Sequence, residues 1–137
     1  MSLALLIMAL QAAPPAAPAE PTIEVGRASW AGFERLNSRL SLPTVSMIAS
    51  VQDILRSRQC PAIAQPINDF DITVNFAVRF DQANRPLRIV VEEIGCRPLE
   101  LLVAGAVRDL IRHRYLDVPN TGTARWYGNS ISFNLAS

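Results

Sequence analysis

Few residues of this chain are equipped to do chemistry. His113 is the only histidine and stands between Arg112 and Arg114. Two readings are open for it: a general base or phosphate contact, or a solvated cation at a helix end, where the dipole favours positive charge. No Ser, Cys or Asp partner stands at motif spacing, which favours the second. Glu92-Glu93 is the one acidic pair. Adjacent strand residues point to opposite faces, so the two do not form a two-carboxylate site. The one that faces inward is expected to pair with an arginine of the following helix. All 13 basic residues are arginine, and the absence of lysine excludes Schiff-base and P-loop lysine chemistry. The glycines are scattered and form no phosphate cradle. No catalytic residue and no cofactor is expected. No metal site is expected either, because two Cys and one His are too few for a closed zinc site.

One cluster could bind. Arg108, Arg112, Arg114 and Arg125, with Trp126 and Tyr127, would make a basic-aromatic patch suited to an acidic peptide or a glycan. The competing reading is arginine stems lying over core aromatics with their heads in water. The chain as a whole carries 13 basic against 12 acidic residues. That balance gives no electrostatic footprint for nucleic acid or anionic lipid.

These residues must be positioned by a small set of elements. Residues 1–19 read as a signal peptide. Leu3 to Leu10 is an uncharged apolar run, too short for a transmembrane helix, which needs about 20 apolar residues. Ala17-Pro18-Ala19 offers a cleavage site, and a cut nearer Ala12 or Ala13 is also open. No cysteine follows the run to carry a lipid. A periplasmic or secreted location follows, and in that compartment Cys60 and Cys96 are expected to form a disulfide.

Residues 20–43 read as a Pro-rich, irregular segment. Trp30, Phe33, Leu36 and Leu40 recur there at helical spacing, which predicts a short amphipathic helix. The domain proper is expected over 44–137. Thr44 caps a helix whose stripe is Val45, Ile48, Val51, Ile54 and Leu55, stopped by Cys60-Pro61. Phe70 to Phe80 alternates, with Ile72, Val74, Phe76, Val78 and Phe80 on one face. A polar turn, Asp81 to Pro86, joins it to a second strand over Leu87 to Ile94. Pro98 and Glu100 open a second helix with a stripe of Leu99, Leu102, Val103, Ala106, Val107, Leu110 and Ile111. Ser130 to Leu135 alternates again, and Trp126-Tyr127 can start the same strand. The expected fold class is α+β: a three-stranded antiparallel sheet packed on one side by two helices, in the order αββαβ.

On these residues the chain resembles the C-terminal domain of the TonB energy-transducer family. The pieces that carry the resemblance are Val74-Asn75-Phe76-Ala77-Val78, Asp81 to Pro86, Arg88-Ile89-Val90-Val91, Ile94-Gly95-Cys96, Leu99 to Ile111, and Ile131-Ser132-Phe133-Asn134-Leu135. They cover about residues 61–135 and do not extend to the family's membrane anchor or long Pro-rich spacer. The resemblance implies a periplasmic protein-interaction module rather than an enzyme. In the family the final strand contacts a short peptide box of outer-membrane receptors. By position this implicates Ser130, Ile131, Ser132, Phe133, Asn134 and Leu135, and the partner would be an envelope protein or peptide taken by strand addition. A small exported enzyme or enzyme inhibitor is the alternative.

Overall fold

The computed structural model describes residues 20–61, 63 and 71–135. The signal-peptide reading of 1–19 and the placement of Phe70 fall outside the described residues. Among the described residues no helix is long and apolar enough to cross a membrane.

Alternation builds the middle of the sheet. Strand β4 (Asp71–Phe80) buries Val74, Phe76, Val78 and Phe80 and leaves Asp71 and Thr73 exposed. It pairs antiparallel with β5 (Pro86–Glu92) on one side and with β7 (Arg125–Asn134) on the other. The inner faces of the neighbours contribute Ile89 and Val91, and Tyr127, Ile131 and Phe133, all buried. This is the expected antiparallel trio, with β4 at its centre.

The sheet, however, has five strands, in the order β1-β5-β4-β7-β2. The two additions come from the segment read as irregular. Strand β1 (Thr22–Gly26) pairs parallel with β5, placing Ile23 beside Ile89 and Val25 beside Val91. Strand β2 (Glu34–Arg35) pairs parallel with β7 at Tyr127 and Gly128. A separate two-stranded ladder joins β3 (Asn37–Ser38) to β6 (Leu116–Asp117).

The amphipathic helix expected around Trp30 to Leu40 is therefore replaced by strands and a single 3-10 turn at Trp30–Gly32. The physical reason is that the apolar residues here serve two surfaces. Leu36 enters the main core at 0% exposure. Trp30 and Phe33 instead lie on the opposite side of the sheet, in a strap that runs from β1 at one edge to β2 at the other. Small residues lie beneath the strap: Ala77 and Gly128, a cross-strand pair, are both buried there.

Helix α1 (Val45–Arg56) begins as expected: the Thr44 hydroxyl accepts the Met47 N–H at 3.2 Å. Val51 is buried and Ile48, Ile54 and Leu55 pack against the core, but Val45 is 85% exposed and Met47 takes its place. At about 100° per residue Val45 lies roughly 120° around the helix from Val51, on the solvent flank. Helix α2 (Arg97–Arg112) buries Leu99, Val103, Val107 and Leu110 against the sheet, together with Ala104 and Glu100. Glu100 is buried because it reaches back over the helix start, where its carboxylate accepts the Ile94 N–H at 2.8 Å. The Cys60–Cys96 disulfide ties the end of α1 to the N-cap of α2, with both cysteines buried.

Candidate functional site

The two faces of the sheet divide the residues singled out as a basic-aromatic patch. Arg108 and Arg112 lie on α2, on the helix side. Tyr127 also points to that side; it is 2% exposed, meets Phe80 edge-on at 5.9 Å, and its hydroxyl has no hydrogen-bond partner among the described residues. Trp126 points the other way. It sits 5.8 Å from Phe33, with the Arg88 and Arg79 guanidinium carbons 5.4 and 6.0 Å from its ring centre. Arg125 is tied to Glu34 at 3.0 Å and to Thr123. Arg114 follows the end of α2, its carbonyl accepting from Arg39. The patch therefore does not form one surface: successive residues of β7 alternate sides, and α2 covers only one of them.

Other expectations are likewise redistributed. Neither acidic neighbour pairs with a helix arginine. Glu92 accepts both the backbone N–H and the side-chain amide of Asn75, at 2.9 and 2.6 Å, and so extends the β4–β5 ladder past its last backbone pair. Glu93 lies past the strand end and meets Arg27 at 3.5 Å on the surface. His113 is the C-cap of α2, exposed, 6.4 Å from the Tyr115 ring. Its neighbours across a groove between α1 and α2 are mostly apolar, including Leu42, Met47 and Leu102. Among the described residues no group of three His, Cys, Asp or Glu is placed to hold a metal ion.

The final strand is where geometry offers something unused. On one side β7 is paired with β4 along its whole length, from Arg125 opposite Phe80 to Asn134 opposite Asp71. On the other side β2 covers only Tyr127 and Gly128. The Leu36 N–H donates to the Gly128 carbonyl at 2.8 Å, which fixes the direction of every second residue. Gly128, Ser130, Ser132 and Asn134 thus turn their backbone groups away from β4, while Tyr127, Asn129, Ile131 and Phe133 turn theirs toward it. Where β2 departs, the Asn129 side chain takes over: it donates to the Leu36 carbonyl at 2.6 Å and accepts the Ser130 N–H at 2.8 Å. Beyond it, among the described residues, no strand lies along Ser130 to Asn134.

The side chains of this stretch separate cleanly. Ile131, Phe133 and Leu135 are buried in the core, whereas Ser132 and Asn134 are exposed. Ser132 shares a 2.8 Å hydrogen bond with Thr73 across the strands. The stretch combines a backbone paired along β4 and side chains anchored in the core with an outward Ser132 N–H and C=O that no other described residue meets. Outward strand groups of this kind can template another chain. Compared with known proteins, the chain matches no family model, no curated relative and no solved structure.

Proposed function

We propose that this chain is an exported periplasmic interaction module of TonB C-terminal-like fold, and that it takes an extended segment of an envelope protein as an added strand on the edge of β7 at Ser132. The observation that carries the reading is the half-covered edge of β7: full pairing with β4, and β2 stopping at Gly128. Main-chain hydrogen bonds supply affinity in such docking, and alternate side chains supply selectivity. On this edge the alternate outward side chains are Ser130 and Ser132, small and polar, which leave room for a partner's larger residues. Export is supported by the apolar leader and by the Cys60–Cys96 disulfide, a bond that persists in oxidising compartments.

The test is a selection of random peptides displayed against the immobilised full chain. Each bound peptide is then titrated against Ser132→Pro. Proline is tolerated at a strand edge whose N–H faces outward, but it removes the donor that an incoming strand needs. The reading expects peptide affinity to fall at least tenfold with the circular dichroism spectrum unchanged. Selected peptides that bind Ser132→Pro as tightly as the parent would contradict it.

A further inference from the structure

A second, unassigned site lies at the other end of the molecule and is independent of the strand edge. Where the turn between β4 and β5 faces the last turns of α2, a cleft of about 410 Å³ opens. Three arginines line it: Arg85, Arg108 and Arg112. Two already have a carboxylate. Arg85 meets Asp81 at 3.0 Å, and Arg112 meets Glu20 at 2.8 Å. Among the described residues Arg108 has none: its Nε is buried and meets no hydrogen-bond partner.

A buried guanidinium donor with no acceptor is a costly arrangement, and folded proteins rarely leave one in place without a use. The walls beside it are apolar. Pro86, Leu87 and Ile111 line the same cleft, and Leu87 is 43% exposed although it is a leucine. Leu87 occupies that position because the β4–β5 ladder shifts register there: Arg79 pairs with Arg88, but Phe80 pairs with Pro86, so Leu87 has no opposite residue. The irregularity leaves an apolar side chain at the cleft mouth that a regular ladder would have placed within the pairing.

We infer that the cleft binds a small carboxylic acid with an apolar tail, its carboxylate on Arg108 and its tail along Leu87, Pro86 and Ile111. The chemistry favours this class over a bare inorganic anion. Two of the three cations are already neutralised, so the cleft offers charge for a single negative group, and most of the remaining lining is apolar. The volume fits a small molecule, since ligand clefts run from roughly 300 to 1,000 Å³ and hold mainly apolar walls with a few placed polar groups. A carboxylate also matches the planar fork of a guanidinium.

The experiment is a nuclear magnetic resonance titration of the full chain, following the Arg108 Nε–H signal, with sodium octanoate, sodium acetate, octanol and inorganic phosphate as separate probes. Octanoate is expected to shift the signal saturably and to bind at least tenfold more tightly than acetate or phosphate, and octanol is expected to leave it unmoved. In Arg108→Gln, followed instead by the Leu87 and Ile111 backbone amide signals, the affinity for octanoate falls at least tenfold. In Leu87→Asn, a change at an exposed position, octanoate weakens several-fold while acetate is unaffected, and this variant decides the matter should Arg108→Gln fail to fold. The inference is overturned if octanoate gives no saturable shift, if phosphate binds as tightly or octanol moves the signal equally, or if Leu87→Asn binds octanoate like the parent.

Discussion

The Asn129 side chain completes the hydrogen bonding that Leu36 would otherwise leave unfinished: its amide donates to the Leu36 carbonyl at 2.6 Å while its oxygen accepts the Ser130 N–H at 2.8 Å. One side chain thereby imitates a strand backbone at the point where β2 ends. Asn129→Ala leaves both groups without a protein partner in a half-buried setting. The expected cost is about 1–3 kcal/mol, the range for unsatisfied buried polar groups. Urea denaturation measures it. A loss below a few tenths of a kcal/mol would mean that water replaces the amide without penalty.

Gly128 is needed for close approach. A Cβ there would come within 3.0 Å of the Phe33 Cβ and 3.2 Å of the Phe76 carbonyl oxygen. Gly128→Ala should therefore destabilise by about 1–3 kcal/mol, the ordinary cost of forced overpacking. Phe33→Ala in the same chain should not restore stability, because alanine keeps the Cβ that makes the closest contact. Thermal denaturation of the single and double variants checks both statements. Rescue by Phe33→Ala would show that the aromatic strap shifts freely over the sheet.

How much of this was legible beforehand differs by element. The alternation from Ile72 to Phe80 and from Ile131 to Leu135 reads directly, because each strand has one face in the core and one outside. The α2 stripe reads for the same reason, apart from Ala104, which is also buried, and Glu100, whose burial depends on a backbone N–H that only the folded chain brings to it. The segment before α1 does not read. Its three strands are five, two and two residues long and pair with partners far along the chain, β1 and β2 in parallel and β3 antiparallel, so no local hairpin signal marks them. Trp30, Phe33 and Leu36 fall at helical spacing while serving opposite sides of the sheet. The division of Trp126 from Tyr127 could have been found, since neighbours on a strand never share a face.

Asp81 organises the turn between β4 and β5 through its carboxylate, which accepts the backbone N–H groups of Arg85 and Ala83 and meets the Arg85 guanidinium. The Arg85 backbone N–H is the largest influence holding its pKa below the ordinary 3.8; desolvation, next in size, opposes it, and the Ala83 N–H with the charge and side-chain hydrogen bond of Arg85 add to the lowering. A lowered folded pKa means the contribution to stability is complete above the ordinary carboxylate value and is lost as pH falls through the lower folded one. Asp81→Asn should thus be less stable than the parent at neutral pH, with the difference shrinking below about pH 4, where the parent carboxylate protonates. Denaturation midpoints at pH 7 and pH 3 report it. A gap that stays constant between the two would contradict the ionised role.

The disulfide spans 36 residues between Cys60 and Cys96. A loop of that length is worth about 4 kcal/mol on chain-entropy grounds, a large share of the roughly 5–15 kcal/mol that holds a small domain together. Thiol titration of the unfolded, non-reduced protein produced in an oxidising compartment should find no free thiol, and reduction should lower the urea midpoint substantially. Two titratable thiols would remove both the bond and one support for export.

The most direct test of the strand-docking account is amide hydrogen exchange along β7 in the free protein. Ile131 and Phe133 turn their N–H groups into the ladder with β4, and Ser132 turns its own outward. The account predicts slow exchange at Ile131 and Phe133, fast exchange at Ser132, and protection of Ser132 once a selected peptide is bound. Equal protection of Ser132 and Ile131 in the free protein would contradict it, because the edge would then already be taken.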